Sequence, residues 1–304
     1  MRSAMIIDAH AHTYPTSAMG LQAMQGGGHC QYTGLVEELL RAMAEGGIAK
    51  TCMLNMLPLW EMVKAAQAKL PAEMGANERA EAEAEIFRNM FARQERRNCW
   101  TCDIAREHPE LIPFIHLVPW MGAEAIRGEI EDKVKNHGAR GIKLHPGSNE
   151  FFPADRRMWP AYEMAVDLHL PVVSHAGLFP TTDIPYTHPD SFAPLAEAFP
   201  ELTIVLAHLA FNYFDAAVAL ARRHPNVYFD CCAIVSDHIE PELRLSDERL
   251  SQIIRDIGVE RVMWGSDFPW FDPCEGLRRL ERLDFTAAEL ALLRGGNATR
   301  IYGP

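Results

Sequence analysis

The sequence predicts a (β/α)8 barrel, a TIM barrel folded as a single domain over residues 1–304, on three observations. Eight short, nearly continuous apolar runs read as strands buried on both faces, the pattern of a parallel sheet. Amphipathic helical stretches separate them, as parallel crossovers require. Histidines, a lysine and an aspartate recur where the runs end, which is where such barrels carry their chemistry. A count of eight favours a closed barrel over an open doubly wound sheet. No Gly-x-Gly-x-x-Gly follows the first strand and no P-loop occurs, which weakens a nucleotide-binding sheet further.

The first strand is Met5 to His12, and a loop from Thr13 to Tyr32 follows it, with Gly26-Gly27-Gly28-His29-Cys30 inside. A twenty-residue loop at a strand's C-terminal end is a candidate lid. The period of Leu35 to Leu40 marks a helix. Strand two is Lys50 to Met56, then a Pro-containing irregular region, then a long helix from about Asn77 to His108 whose charge reads as a solvated face. Strand three is Leu111 to Val118, and the helix from Ala123 to Asn136 stops at His137-Gly138. Strands four to six are Gly141 to Pro146, Pro171 to His175 and Leu202 to His208, with helices at Met158 to Leu168 and Ser191 to Phe199. Strand seven is Val227 to Asp230 and strand eight Arg261 to Asp267, with helices at Tyr213 to Arg223 and Ser246 to Ile257.

Composition narrows the partners. With 304 residues, 48% of them hydrophobic and 23% charged, the chain can bury a large core. A net charge of −12 and a pI near 5.5 argue against nucleic acid or an anionic membrane and leave a small-molecule substrate as the default. No apolar run reaches membrane-spanning length and the first strand begins at once, so a soluble, cytoplasmic protein without a signal peptide is expected. Seven scattered cysteines suit reduced thiols. Cys99-Trp100-Thr101-Cys102 has the spacing of a redox or zinc motif, but it falls inside a helix with no second such pair and reads as a buried helix face. Cys231-Cys232 reads as a small buried pair.

The stretch with most chemistry is Asp8-Ala9-His10-Ala11-His12. Side chains two apart on a strand point the same way, about 7 Å apart, so His10 and His12 can converge on one ion. His175, His208 and Asp267 end strands five, six and eight, and Lys143 and His145 end strand four. A single histidine at a strand end is more often a hydrogen-bonded structural group. Five convergent strand ends are hard to explain that way. Trp270 and Phe271 follow Asp267 and could stack on a substrate ring, although packing is the commoner role. His29, Cys30, Tyr186 and His188 receive no chemistry.

Together with Gly141-Ile142-Lys143-Leu144-His145-Pro146, Val172-Val173-Ser174-His175, Ile204-Val205-Leu206-Ala207-His208, Gly265-Ser266-Asp267-Phe268-Pro269 and Asn297 to Tyr302, this stretch resembles the amidohydrolase superfamily, in its amidohydrolase-related branch of metal-dependent hydrolases, decarboxylases and hydratases. The resemblance covers nearly the whole chain. It implies one divalent ion per chain, Zn²⁺ foremost and Mn²⁺ as an alternative, held by His10, His12, His175 and Asp267. It makes Asp267 a catalytic proton carrier as well as a ligand, and His208 a catalytic group beside the metal. Lys143, His145 and Trp270 fall to substrate binding, with a carbamylated, metal-bridging Lys143 as the minor alternative. Asp8 and Asp230 become structural carboxylates, Asn297 to Tyr302 a structural terminus, and a homodimer the expected assembly.

Neutral imidazoles and a carboxylate suit zinc, which lowers the pKa of a bound water to about 7. The first expectation is therefore a hydrolase of a small-molecule amide, ester or lactone. A lyase, decarboxylating or hydrating a small carboxylated substrate, is the second, and a catalytically silent ligand-binding barrel the third. Many aromatic-acid decarboxylases of the branch carry Glu at the position of His10, which mildly disfavours that subgroup, but other decarboxylases and hydratases keep His-x-His, so the motif does not separate hydrolase from lyase. Arginines or lysines converging on the mouth would favour the lyase.

Overall fold

The computed structural model describes residues 5–25, 28, 30–178 and 183–303. Gly26, Gly27 and His29, discussed above, lie outside that set. Eight strands pair in parallel in the order β1 to β8: Ile7–Ala11, Lys50–Leu54, Leu111–His116, Gly141–Leu144, Val172–Ser174, Ile204–Leu206, Val227–Asp230 and Val262–Met263. The last strand returns to the first. Ala9 N donates to Trp264 O at 3.0 Å and Asp267 N to His10 O at 2.8 Å, which closes the sheet into a barrel.

The helices are α1 (Ser17–Met24), α2 (Val36–Gly46), α3 (Leu59–Gln67), α4 (Ala76–Glu107), α5 (Ala123–Lys135), α6 (Pro146–Asn149), α7 (Trp159–Asp167), α8 (Ala193–Ala198), α9 (Phe214–Arg223), α10 (Asp247–Ile257), α11 (Pro273–Arg282), α12 (Ala287–Ala291) and α13 (Asn297–Tyr302). Two of them correct the sequence reading. The presumed loop from Thr13 to Tyr32 contains α1, whose Thr16 hydroxyl accepts from Met19 N as an N-cap. The irregular region after strand two contains α3, which buries only Leu59 and Val63 and so carries a weak apolar period. Several strands are shorter than their apolar runs, because the runs continue into the loops of the barrel mouth.

The barrel interior is layered. Low in it, Cys52, Leu54, Ile112, Phe114, Val173, Val205 and Met263 form an apolar cluster with Ala298 and Tyr302 of α13. The Phe114 and Tyr302 rings meet edge to face at 5.2 Å. Gly141 makes room for Phe114, since a Cβ there would lie 2.1 Å from its ring. Two residues further along β3 and β5, on the same face, stand His116 and His175. A second, larger apolar cluster lies between the strands and the surrounding helices.

Candidate active site

The strands that are apolar low in the barrel deliver buried ionisable groups to its mouth. His10 lies in β1 and His12 follows it. His10 Nδ1 donates to Asp230 Oδ2 at 2.8 Å, and His12 Nδ1 to Leu54 O at 2.7 Å. Both partners are acceptors only, so each ring carries its proton on Nδ1 and turns an Nε2 lone pair towards the cavity. The two Nε2 atoms stand 3.2 Å apart, with Asp267 Oδ1 3.6 Å from His10 and 3.5 Å from His12. Two lone pairs and a carboxylate facing one another repel unless a cation lies between them, and imidazole nitrogens with a carboxylate oxygen are the donor set of a divalent metal. The residues present therefore fit such an ion.

The electrostatics agree. Burial, with the neighbouring charge of Lys143, pushes His10 down to about 3, and burial pushes His12 down as well, so both rings are neutral. Burial would raise the Asp267 carboxyl, but the neighbouring His12, His208 and His10 outweigh it and hold the group below the usual carboxylate range. Asp230 is depressed by its imidazole neighbours against the same burial penalty. Asp8 differs. Burial lifts it to about 7 although the Ser266 hydroxyl and backbone N–H both donate to it.

Around this core, Lys143 Nζ lies 3.2 Å from His10 Nε2, and burial pushes its amine down from the usual range. His175 stacks on His145 with centroids 4.2 Å apart and meets the His208 ring at 4.9 Å. Trp270 packs edge-on against His12 at 5.5 Å. His208 (φ 59°) and Asp267 (φ 64°) both adopt the left-handed backbone that non-glycine residues rarely take, a strain that concentrates at functional positions. Asp230 Oδ1 accepts from His208 N at 3.0 Å, which helps to hold that turn.

All the predicted site residues, His10, His12, Lys143, His145, His175, His208, Asp267 and Trp270, line one cavity of about 990 Å³. Their closeness differs. Among the described residues His10, His12 and Asp267 form one ligand-ready group, and His10, His208 and Cys232 another, while His175 belongs to neither and stands beside His208.

Two sequence readings need correction. Cys231 and Cys232 are both buried, but only Cys231 joins the large apolar cluster; Cys232 Sγ lies 3.1 Å from His208 Nδ1. Asp230 supports, as expected, yet it does so inside the site. A signal for both existed, because Cys232 follows Asp230 by two and continues the inward face of β7. The charge of α4 is not all solvated either. Gln94, Arg97, Asn98 and Thr101 are buried, and Asn98 brackets the backbone of His116. Their spacing of three and four along a helix was the missed signal. His116, also unassigned from sequence, is buried against Lys143 O at 3.1 Å and pushed down to about 4, by burial above all.

Comparison with known proteins settles the family. The amidohydrolase family model matches residues 7–303. The chain belongs to that family. Among solved structures, this amidohydrolase is similar to an uncharacterised TIM-barrel protein from Bordetella bronchiseptica, with a TM-score of 0.72, 18% identity and 98% of each chain covered. It is similar to 5-carboxyvanillate decarboxylase from Sphingomonas paucimobilis, with a TM-score of 0.67, 17% identity and 99% of each chain covered. It is also similar to a dihydroxybenzoic acid decarboxylase from Polaromonas solved with manganese, with a TM-score of 0.66, 16% identity and 98% and 96% of the two chains covered. At such identities the likeness is one of fold. A search of curated protein sequences finds no match. No helix among the described residues is long and apolar enough to cross a membrane.

Proposed function

We propose that this amidohydrolase is a metal-dependent lyase that removes CO₂ from a small carboxylated substrate. The observation that carries this reading is the buried Lys143 amine, 3.2 Å from His10 Nε2 and without an ion pair among the described residues. Burial disfavours the charged form of this amine and an arriving anion favours it, so the group suits a substrate carboxylate. Arg93 and Arg97 line the same cavity, with Glu61 and Glu240 also on its wall, and two arginines there favour a carboxylate-bearing lyase substrate. Two similar structures are metal-bound or aromatic-acid decarboxylases by description, which agrees.

A divalent cation held by His10, His12 and Asp267, with His175 near at hand, would supply Lewis acidity towards a substrate oxygen. The chain does the rest. Lys143 and His145 orient the carboxylate, and Trp270 covers one side of the substrate. The bond between that carboxylate and its carbon breaks, CO₂ leaves, and the electron pair left on carbon takes a proton. Asp267 and His208 face that space; the ionised Asp267 carboxylate is suited to take a proton from water and pass it to that carbon, with His208 beside it.

Hydrolysis is the second reading. It is favoured by Asp267, whose carboxylate is held ionised against its burial and is thus suited to take a proton from water. An assay of the manganese- or zinc-loaded protein against lactones, amides and aromatic or unsaturated carboxylic acids separates the two. Release of CO₂ is expected. Turnover of lactones or amides with none from any acid would overturn the lyase reading in favour of the hydrolase.

A further inference from the structure

Arg97 is an unusual residue to bury. It is 5% exposed, on the face of α4 that lines the cavity. One of its groups, Nη2, donates to the carbonyl of Thr13, the residue next to His12. Its Nε and Nη1, which carry three of the five guanidinium protons, have no acceptor. No carboxylate forms an ion pair with it among the described residues. Its charge centre lies 5.1 Å from the Tyr14 ring and 4.6 Å from the Trp100 ring, so stacking fixes the guanidinium while Nε and Nη1 stay buried without a partner. A buried guanidinium with unused donors leaves its desolvation uncompensated by hydrogen bonds. A purely structural arginine would satisfy them within the fold.

We propose that Arg97 is the seat of a second anionic group on the substrate, a carboxylate remote from the one at Lys143, so that this enzyme takes dicarboxylates. The inference rests on the lyase reading for the first carboxylate and adds a separate subsite. Thr13 links the two ends, because its carbonyl holds Arg97 while its neighbour His12 belongs to the metal-ligand group. Arg93, one turn earlier on α4, lines the same cavity and adds positive potential without the burial.

The test uses the manganese-loaded protein and three probes that differ in charge: isophthalate with two carboxylates, benzoate with one and benzamide with none. Isophthalate should bind about 10- to 100-fold more tightly than benzoate, as charge-assisted hydrogen bonds to a buried arginine imply. Arg97→Gln should erase that advantage, weakening isophthalate binding far more than benzoate or benzamide binding, and Arg97→Lys should restore part of it. Equal losses for all three probes, or an isophthalate advantage that survives in Arg97→Gln, would overturn the subsite. In case the variants fold poorly, the wild-type protein is treated with phenylglyoxal and Arg97 is followed by peptide mass spectrometry. Isophthalate and not benzamide should protect it; an Arg97 that the reagent never reaches, or that isophthalate leaves equally reactive, also overturns the proposal. Isophthalate binding that depends on Arg97 with no acid yielding CO₂ would leave the subsite standing and sink the lyase reading. CO₂ release from monocarboxylates with no gain from a second carboxylate would do the reverse.

Discussion

The lower and upper halves of the barrel interior are built from the same strands and obey opposite rules. Below, Phe114, Val173, Val205 and Met263 pack with Tyr302 into a layer free of charge. Above, His10, Lys143, His145, Asp230 and their neighbours are almost as thoroughly buried, yet every one is ionisable. The lower layer is stabilised by area removed from water, about 25 cal/mol per Å². The upper layer forfeits that term and carries desolvation penalties instead, visible in the lowered His10 and the raised Asp8. A barrel can therefore assign stability to one end and chemistry to the other, with two residues along a strand as the boundary.

If that division is real, changes above should abolish function with little loss of stability, and changes below the opposite. The largest effect is expected from Asp267→Ala, which removes a metal-facing carboxylate. Bound metal by elemental analysis should drop, and activity should fall at least about 10³-fold, while the melting temperature of the metal-free protein changes little. His208→Asn sharpens the same comparison. It should keep the metal and lose about 10²- to 10⁴-fold in turnover, the range for a positioned proton-transfer group. Full turnover in that variant would remove His208 from the chemistry.

Below the boundary, Phe114→Ala should cost about 3–5 kcal/mol of unfolding free energy, read by denaturant titration, with metal content unchanged. Gly265→Ala tests the boundary itself. A Cβ there would lie 2.8 Å from the His10 Cβ and 3.1 Å from that of Cys232, so one added methyl must displace a metal-facing imidazole. A stability loss of about 1–3 kcal/mol, together with weaker metal binding by competitive chelation, is the expected outcome. Unchanged metal affinity would show that the upper layer tolerates movement.

The smallest effect lies outside the barrel. Asp237 is held below its ordinary carboxylate range, first by its hydrogen bonds with Arg282 and then by Arg279. A depressed carboxyl stabilises the fold above its unfolded-state value of about 3.8, and the gain vanishes as pH falls through the folded value. The pair is partly exposed, so the contribution is below about 1 kcal/mol. Asp237→Asn should leave the stability below pH 3 almost unchanged and lower it slightly at neutral pH.

The sequence alone determined the eight strands, their parallel order and the His-x-His at the mouth, because strand burial and the alternation of side chains are local properties of a few consecutive residues. It also marked Lys143, His145, His175, His208 and Asp267 as strand-end groups, and all of them face the cavity. The folded chain decided what those groups meet. Asp230 fixes the His10 proton across 220 positions of sequence, Cys232 comes to lie against His208, and Arg97 reaches the site from a helix that reads as a solvated surface. Nothing in the local pattern encodes these pairings. They arise when barrel closure brings β1 beside β8 and α4 over the mouth, where a charged side chain is judged by its neighbours in space and not by those along the chain.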